Sequence, residues 1–242
     1  MAYRLFLAGA AGVIGRRLVP LLVKAGHDVF GTTRSAERAK ALEAAGVTPV
    51  IVDVYDAPAL SRALVSIRPE IVIHQLTDLP RNLPPDRAAE ATARNARVRS
   101  EGTPNLVAAA IAAGARRMIA QSIAWMYAPG PEPHGEADPL DLRAEGSRGI
   151  SVGGVAALEQ ATLNAAPLEG IVLRYGQFYG PGTGVDEPKG SAPLHVDAAA
   201  FAALLAIETA RPGIYNVAEP NRYVATDRAC RELGWDSAFR SP

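Results

Sequence analysis

Cysteine is almost missing: Cys230 is the single one in the chain. An internal disulfide and a cysteine-built metal cluster are thereby excluded, and the composition suits a reducing, cytoplasmic setting. An excess of one charge is also missing. Lys+Arg and Asp+Glu both number 25, so the formal net charge is zero. Neutralising a row of phosphates calls for a basic excess, and nucleic acid is not an expected partner. No run approaches the ~20 apolar residues of a membrane span, so no membrane partner is expected either. The stretch from Leu5 to Gly15 has the outline of a short signal-peptide core, but its glycines have a better use below. Lysine is scarce, with only Lys24, Lys40 and Lys189, and that shortage matters for the chemistry. What remains is the composition of a folded globular protein: 242 residues, 48% hydrophobic and 21% charged, enough for one sizeable core.

Apolar runs alternate with helical periodicity. Strands are expected at Tyr3–Ala8, His27–Thr32, Thr48–Val52, Ile71–His74, Arg117–Gln121 and Gly170–Arg174. Helices are expected at Val13–Ala25, Ser35–Ala45, Ala57–Ile67, Ala88–Ala113 and Val152–Asn164. Pro20 predicts a kink or tight packing in the first helix, and Gly102-Thr103-Pro104 a break in the fourth. Thr77–Pro85 and Pro129–Glu145 are expected loops. This repeated strand–helix alternation is the signature of an α/β, doubly wound parallel sheet. Such sheets bind ligands at the carboxyl ends of their strands. The last 68 residues are less regular, with a Gly/Pro-rich stretch at Pro181–Pro193, a helix at Val196–Glu208, a strand at Gly213–Val217 and a short helix at Asp227–Leu233. The division expected is the alternating part, 1–174, and a small, shortened C-terminal lobe, 175–242.

Gly9-Ala10-Ala11-Gly12-Val13-Ile14-Gly15 stands between the first strand and the first helix. One glycine makes the tight turn, one lets the backbone approach a pyrophosphate, and one lets helix pack on strand. The helix N-terminus then offers N–H groups and a positive dipole end to the phosphates. An NAD site places an acid at the end of the second strand to hold the ribose 2′-hydroxyl. Here that end reads Gly31-Thr32-Thr33-Arg34, with Asp28 at the wrong end. Arg34, aided by Arg16, is placed to meet a 2′-phosphate, so NADP is preferred over NAD.

At this point the chain resembles the extended short-chain dehydrogenase/reductases, the NAD-dependent epimerase/dehydratase group. The resemblance rests on Gly9 to Gly15, Asp53-Val54 after the third strand, Asn95, and Gly102-Thr103 with Asn105-Leu106. It continues through Ser122 with Tyr127, Arg174 with Tyr179-Gly180-Pro181-Gly182, His195-Val196-Asp197, Tyr215-Asn216-Val217 and Arg231–Trp235. It implies an NAD(P)-binding Rossmann fold. Cofactor contacts are expected from Gly9, Gly12, Val13, Ile14, Gly15, Arg34, Asp53, Val54, Gln75 and Leu76.

The family's chemistry runs on a Tyr-x-x-x-Lys pair, in which the lysine lowers the pKa of a phenol that is otherwise a poor base near pKa ~10. Aligned on Glu159, the pair falls on Ser151 and Val155, and none of the seven tyrosines has a lysine four residues later. Ser122, Tyr127 and His74 remain as catalytic candidates. Each has a plain structural alternative: a strand-end hydroxyl, a packed phenol with its hydrogen bond, and a satisfied histidine. No metal site is expected, because His134, Glu132, Glu136 and Asp138 share a loop without ligand spacing. The expected partner is a small molecule. A homodimer is possible through the small residues of Val152–Asn164. The expected function is an atypical oxidoreductase, isomerase or dehydratase; a non-catalytic dinucleotide sensor and a redox-neutral enzyme are the alternatives.

Overall fold

The computed structural model describes residues 1–79 and 87–241. Seven parallel strands form one sheet in the order β3–β2–β1–β4–β5–β6–β9. They are β1 (Arg4–Ala8), β2 (Asp28–Thr33), β3 (Thr48–Ile51), β4 (Ile71–His74), β5 (Arg117–Ile123), β6 (Glu169–Tyr175) and β9 (Gly213–Val217). The helices are α1 (Val13–Lys24), α2 (Ala36–Ala44), α3 (Ala57–Ile67), α4 (Ala88–Arg97), α5 (Thr103–Ala112), α6 (Gly146–Leu163) and α7 (Val196–Ala206).

Strand β1 shows why helices are needed on both sides. Successive side chains on a strand point to opposite faces, and here both faces are apolar. Leu5 and Leu7 join Ile71, Ile73, Ile119 and Ile171 beneath Leu18 and Leu22 of α1 and the alanines of α7. Phe6 and Ala8 join Val72 and Met118 beneath Leu60 and Leu64 of α3 and Leu106 of α5. Each fully buried leucine contributes about 1.5–3 kcal/mol, so the two layers clamp the sheet from either side.

Strand order reverses between β1 and β4: β1 pairs with β2 on one side and β4 on the other. The glycine turn that follows β1 therefore lies beside the residues that follow β4, where an open α/β sheet holds its ligand.

Pro20 stands on the exposed side of α1, and the helix runs through it. The expected break near Gly102 is not a break. Between α4 and α5 the backbone widens into a single π-helical turn, Val98–Gly102, and continues without interruption. Such turns are rare and accompany functional sites. Helix α6 begins at Gly146, six residues ahead of the expectation. Its first turn is poor in helix formers, and long-range bonds hold it: Arg148 donates to Asp141 Oδ2 (2.8 Å) and to the carbonyls of Trp125 (3.2 Å) and Tyr127 (3.0 Å). Gly154 of α6 packs against Ala96 of α4 within the chain, whereas Gly153 is exposed.

Within 175–242, β9 extends the main sheet beside β6 and α7 packs on α1. The short strands β7 (Gln177–Tyr179) and β8 (Pro193–His195) form a separate parallel pair. His195 caps α7, its Nδ1 accepting from Asp197 N (3.2 Å). The helix expected at Asp227–Leu233 is a π-helical turn at Ala229–Leu233. Residues 80–85 of the expected Pro-rich loop lie outside the described residues.

Candidate functional site

The turn after β1 depends on glycine at two points. Gly9 has φ +92°, and a Cβ there would stand 2.7 Å from the Gln75 backbone. A Cβ on Gly15 would stand 2.3 Å from the Gly9 carbonyl oxygen, so only glycine lets α1 start this close to β1. The first turn of α1 carries no acidic residue, and its positive end faces outward unneutralised.

Two clefts meet at this point. The first is lined by Gly9, Gly12, Thr32, Thr33, Arg34, Arg38, Asp53, Val54, Gln75 and Leu76. The second, of about 440 Å³, is lined by Val13, Ile14, Gln75, Asn95, Arg99, Ser122, Trp125, Met126, Ser151 and Phe178. Gln75 and Thr77 border both, so the two are continuous across the ends of β1 and β4. The sequence-derived cofactor residues thus fall along one path, except Gly15, which is buried behind the turn.

The outer end of the first cleft is open. Asp53 Oδ1 accepts from Tyr55 N (3.0 Å), and its Oδ2 lies 3.8 Å from Arg34 Nη1, both side chains being well exposed. Arg38, on the first turn of α2, joins Arg34 at this end. Arg16 turns back and donates to Ala11 O (3.0 Å). Asp28 is at the far end of β2, against Arg4 (3.3 Å).

The inner end is closed and polar. Ser122 Oγ donates to Glu159 Oε1 (2.6 Å). Arg174 grips the same carboxylate twice, Nε to Oε1 (2.9 Å) and Nη2 to Oε2 (2.6 Å). Its Nη1 donates to the Tyr127 hydroxyl (2.8 Å), which donates in turn to Asn216 Oδ1 (2.7 Å). Burial opposes the charge of Arg174, and the Glu159 bonds more than offset it, holding its pKa above the usual value. Burial pushes the Tyr127 phenol up, against the pull of Arg174.

His74 is also enclosed. Its Nδ1 accepts from Leu76 N (3.2 Å), which leaves the proton on Nε2, 3.0 Å from Thr103 Oγ1. Burial is the main cause that lowers its pKa to about 4, with Arg99 adding to it, so the ring is neutral. Of the three catalytic candidates, Ser122 lines the second cleft, whereas His74 and Tyr127 are not among the described residues lining either. His134, from the acidic loop, stacks on Tyr127 (4.9 Å) and meets Asp138 Oδ2 (3.1 Å).

Two polar side chains in the second cleft stand out. Gln75 is buried, and neither of its amide atoms reaches hydrogen-bond geometry with a described residue; the neighbouring Tyr175 hydroxyl donates to Ala199 O (3.0 Å). Buried amides are nearly always paired, so this orphan fits a bound polar group. Arg99 is the second, and sequence reading passed over it together with Arg38. Its signal was there: Ala91, Asn95, Arg99, Thr103 and Val107 fall four apart, on a face that is buried throughout.

Val155 is buried in an apolar cluster with Ile123, Met126 and Val152, one turn beyond Ser151. No helix among the described residues is long and apolar enough to cross a membrane.

Among known proteins, the chain is 43% identical over 237 residues to the 3-diazoavenalumate denitrifying reductase of a Streptomyces species, covering 89% of this chain and 76% of that one. The fold matches a UDP-glucose 4-epimerase of Thermotoga maritima solved with UDP-glucose, at TM-score 0.78 and 18% identity, covering 98% and 94% of the two chains. It also matches a double mutant of a dTDP-glucose 4,6-dehydratase from Streptomyces venezuelae with NAD bound, at TM-score 0.75 and 19% identity, covering 98% and 92%. The sequence pattern of the NAD dependent epimerase/dehydratase family matches residues 5–199, and the chain belongs to that family.

Proposed function

We propose that the protein is an NAD(P)H-dependent reductase of a small substrate, with the dinucleotide lying across both clefts. The observation that carries this reading is the continuity of the two clefts at Gln75, whose buried amide has no hydrogen-bond partner among the described residues. The glycine turn and the start of α1 would hold the pyrophosphate. Arg34 and Arg38 would meet a 2′-phosphate, which favours NADP. Asp53, Val54 and Leu76 would border the adenosine half, and Val13 and Ile14 the other. When bound, the cofactor supplies a hydride at its nicotinamide ring.

The chain's own residues limit which substrates can take that hydride. Ser122 directs its proton to Glu159, so it is set to accept a hydrogen bond and orient a substrate rather than give up a proton. Tyr127 and His74 act as positioning residues: Tyr127 steadies Arg174, and His74 fixes the backbone at Leu76. With Ser151 and Val155 where the family's tyrosine and lysine would stand, no side chain among the described residues is set to protonate an alkoxide. The substrate should therefore be an electrophile that needs no such proton, which agrees with a relative named as a denitrifying reductase of a diazo compound. Residues 1–174 serve the cofactor in this reading, and 175–242 close the substrate side.

The closed Ser122–Glu159 bond also favours a second reading, a dinucleotide-binding module without chemistry. Calorimetric titration with NADPH and NADH tests the shared part. Micromolar binding with a 2′-phosphate preference is expected, and no binding at millimolar dinucleotide overturns both readings. Deuterium transfer from C4-labelled NADPH to an electrophile then separates the reductase from the binding module.

A further inference from the structure

Arg99 is 5% exposed, yet its guanidinium makes no hydrogen bond and no ion pair with any described residue. It lines the second cleft and is the one charged side chain among the described residues that do so. The buried anion whose charge acts on it, Glu159, is already taken. Glu159 is neutralised by two bonds from Arg174 and accepts a third from Ser122. The buried group Glu159, Arg174 and Arg99 therefore sums to one positive charge. A buried charge without a partner is costly and is ordinarily found paired.

Its place in the backbone is equally unusual. Arg99 sits in the π-helical turn between α4 and α5, which widens the helix at the point where this side chain meets the cleft. Burial, the largest influence, lowers its pKa to about 10, which leaves it charged at neutral pH. The opposite wall is apolar and aromatic, formed by Ile123, Trp125, Met126 and Phe178.

We infer that Arg99 is the anchor for a carboxylate on the substrate, so that the cleft takes a small aryl or alkenyl carboxylic acid. A single guanidinium matches a monoanion in two-point geometry. A phosphate ester, nearer two charges, would leave one unmatched, since no second cation lines the cleft among the described residues. The apolar body would lie against Trp125 and Phe178. The inference rests on the reading that this cleft is the substrate side of a dinucleotide enzyme, and it names the substrate class.

Paired probes test it: trans-cinnamate and its neutral isostere cinnamamide, titrated calorimetrically into wild type and Arg99→Met, each with and without saturating NADPH. In wild type, cinnamate is expected to bind at least about tenfold more tightly than the amide, the worth of one charge-assisted contact. In Arg99→Met that preference disappears, NADPH affinity stays within about twofold of wild type, and thermal stability is equal or higher because an unpaired buried charge is gone. Equal binding of the two probes to wild type, binding of neither at ~10 mM, or a preference that survives in Arg99→Met would each overturn the inference. So would a matching loss of NADPH affinity in Arg99→Met, which would assign the charge to the cofactor. If wild type fails to bind NADPH, the cofactor reading falls, and the carboxylate preference is still read on the dinucleotide-free protein. Retained NADPH binding without that preference sinks this inference alone.

Discussion

The two ends of the cleft use arginine in opposite ways. At the outer end Arg34 is 65% exposed and has a loose neighbour in Asp53, so water carries most of its charge. At the inner end Arg99 and Arg174 are buried, and whatever neutralises them must be protein or ligand. In the proposed reading, charge at the open end selects the ligand, and being exposed it contributes little to the fold. Charge at the closed end is part of the fold. Substitutions should sort accordingly: loss of the Glu159–Arg174 pair is read in stability, and outer changes in affinity.

The strongest challenge to that division is Glu159→Gln. It keeps the shape but leaves Arg174 buried without a counter-charge, a loss of about 3–5 kcal/mol. For a chain of this length the melting temperature should fall by about 10 °C. An unchanged melting temperature would mean that water reaches the inner end and that the two ends do not differ in kind.

His74 gives the next largest effect, through pH. Its pKa is about 4 in the folded protein against 6.5 ordinarily. Between those values the unfolded chain takes up a proton that the folded one refuses. The stability is therefore intact above pH 6.5 and is lost as pH falls toward 4, by about 3 kcal/mol. Melting temperatures measured from pH 7.5 down to 4.5 should show this fall, and His74→Gln should flatten it. A wild-type profile that is flat over the same range would place His74 in contact with water.

Gly12→Ala lies on the boundary between the two ends. A Cβ there would stand 3.1 Å from the Gly9 carbonyl oxygen, a contact that small shifts relieve, and it would project over the first cleft. Dinucleotide affinity should fall roughly 30-fold, about 2 kcal/mol, while the melting temperature hardly moves. A large drop in melting temperature instead would make Gly12 a packing residue.

How much of this the sequence discloses also divides by end. The glycine turn, the strand–helix alternation and Arg34 follow from local spacing, because strand–turn–helix units declare themselves within about thirty residues, and Asp53 and Val54 follow from the family resemblance. The inner end is assembled from β5, the loop after it, α6, β6 and β9, far apart in the chain. Glu159 reads in the sequence as a family marker, and only the fold reveals that it receives Ser122 and Arg174 together. Tyr127 reads as a catalytic candidate, yet its hydroxyl is committed to Asn216, 89 residues away. The π-helical turn has no propensity signature, and Gly102-Thr103-Pro104 looks like a break because glycine and proline ordinarily end helices. Here Thr103 is tied to His74 from a neighbouring strand, and the helix continues.

Arg34→Ala should have the smallest effect and is the sharpest test of the outer end. The side chain is largely exposed, so the melting temperature should stay within about 1 °C. A guanidinium on a 2′-phosphate in an exposed place gives about 1.4 kcal/mol, or tenfold in NADPH affinity. NADH, which lacks that phosphate, should bind the variant within about twofold of wild type. Salt separates charge from shape: the NADPH preference of wild type should shrink as ionic strength rises, because exposed charges are screened over about 10 Å at 0.1 M. Arg38 approaches the same end from the first turn of α2, so part of the preference should survive in Arg34→Ala and vanish in the double variant. Equal loss of NADH and NADPH would mean that Arg34 holds the adenine edge rather than the phosphate. The lean toward NADP would then have no residue left to carry it except Arg38.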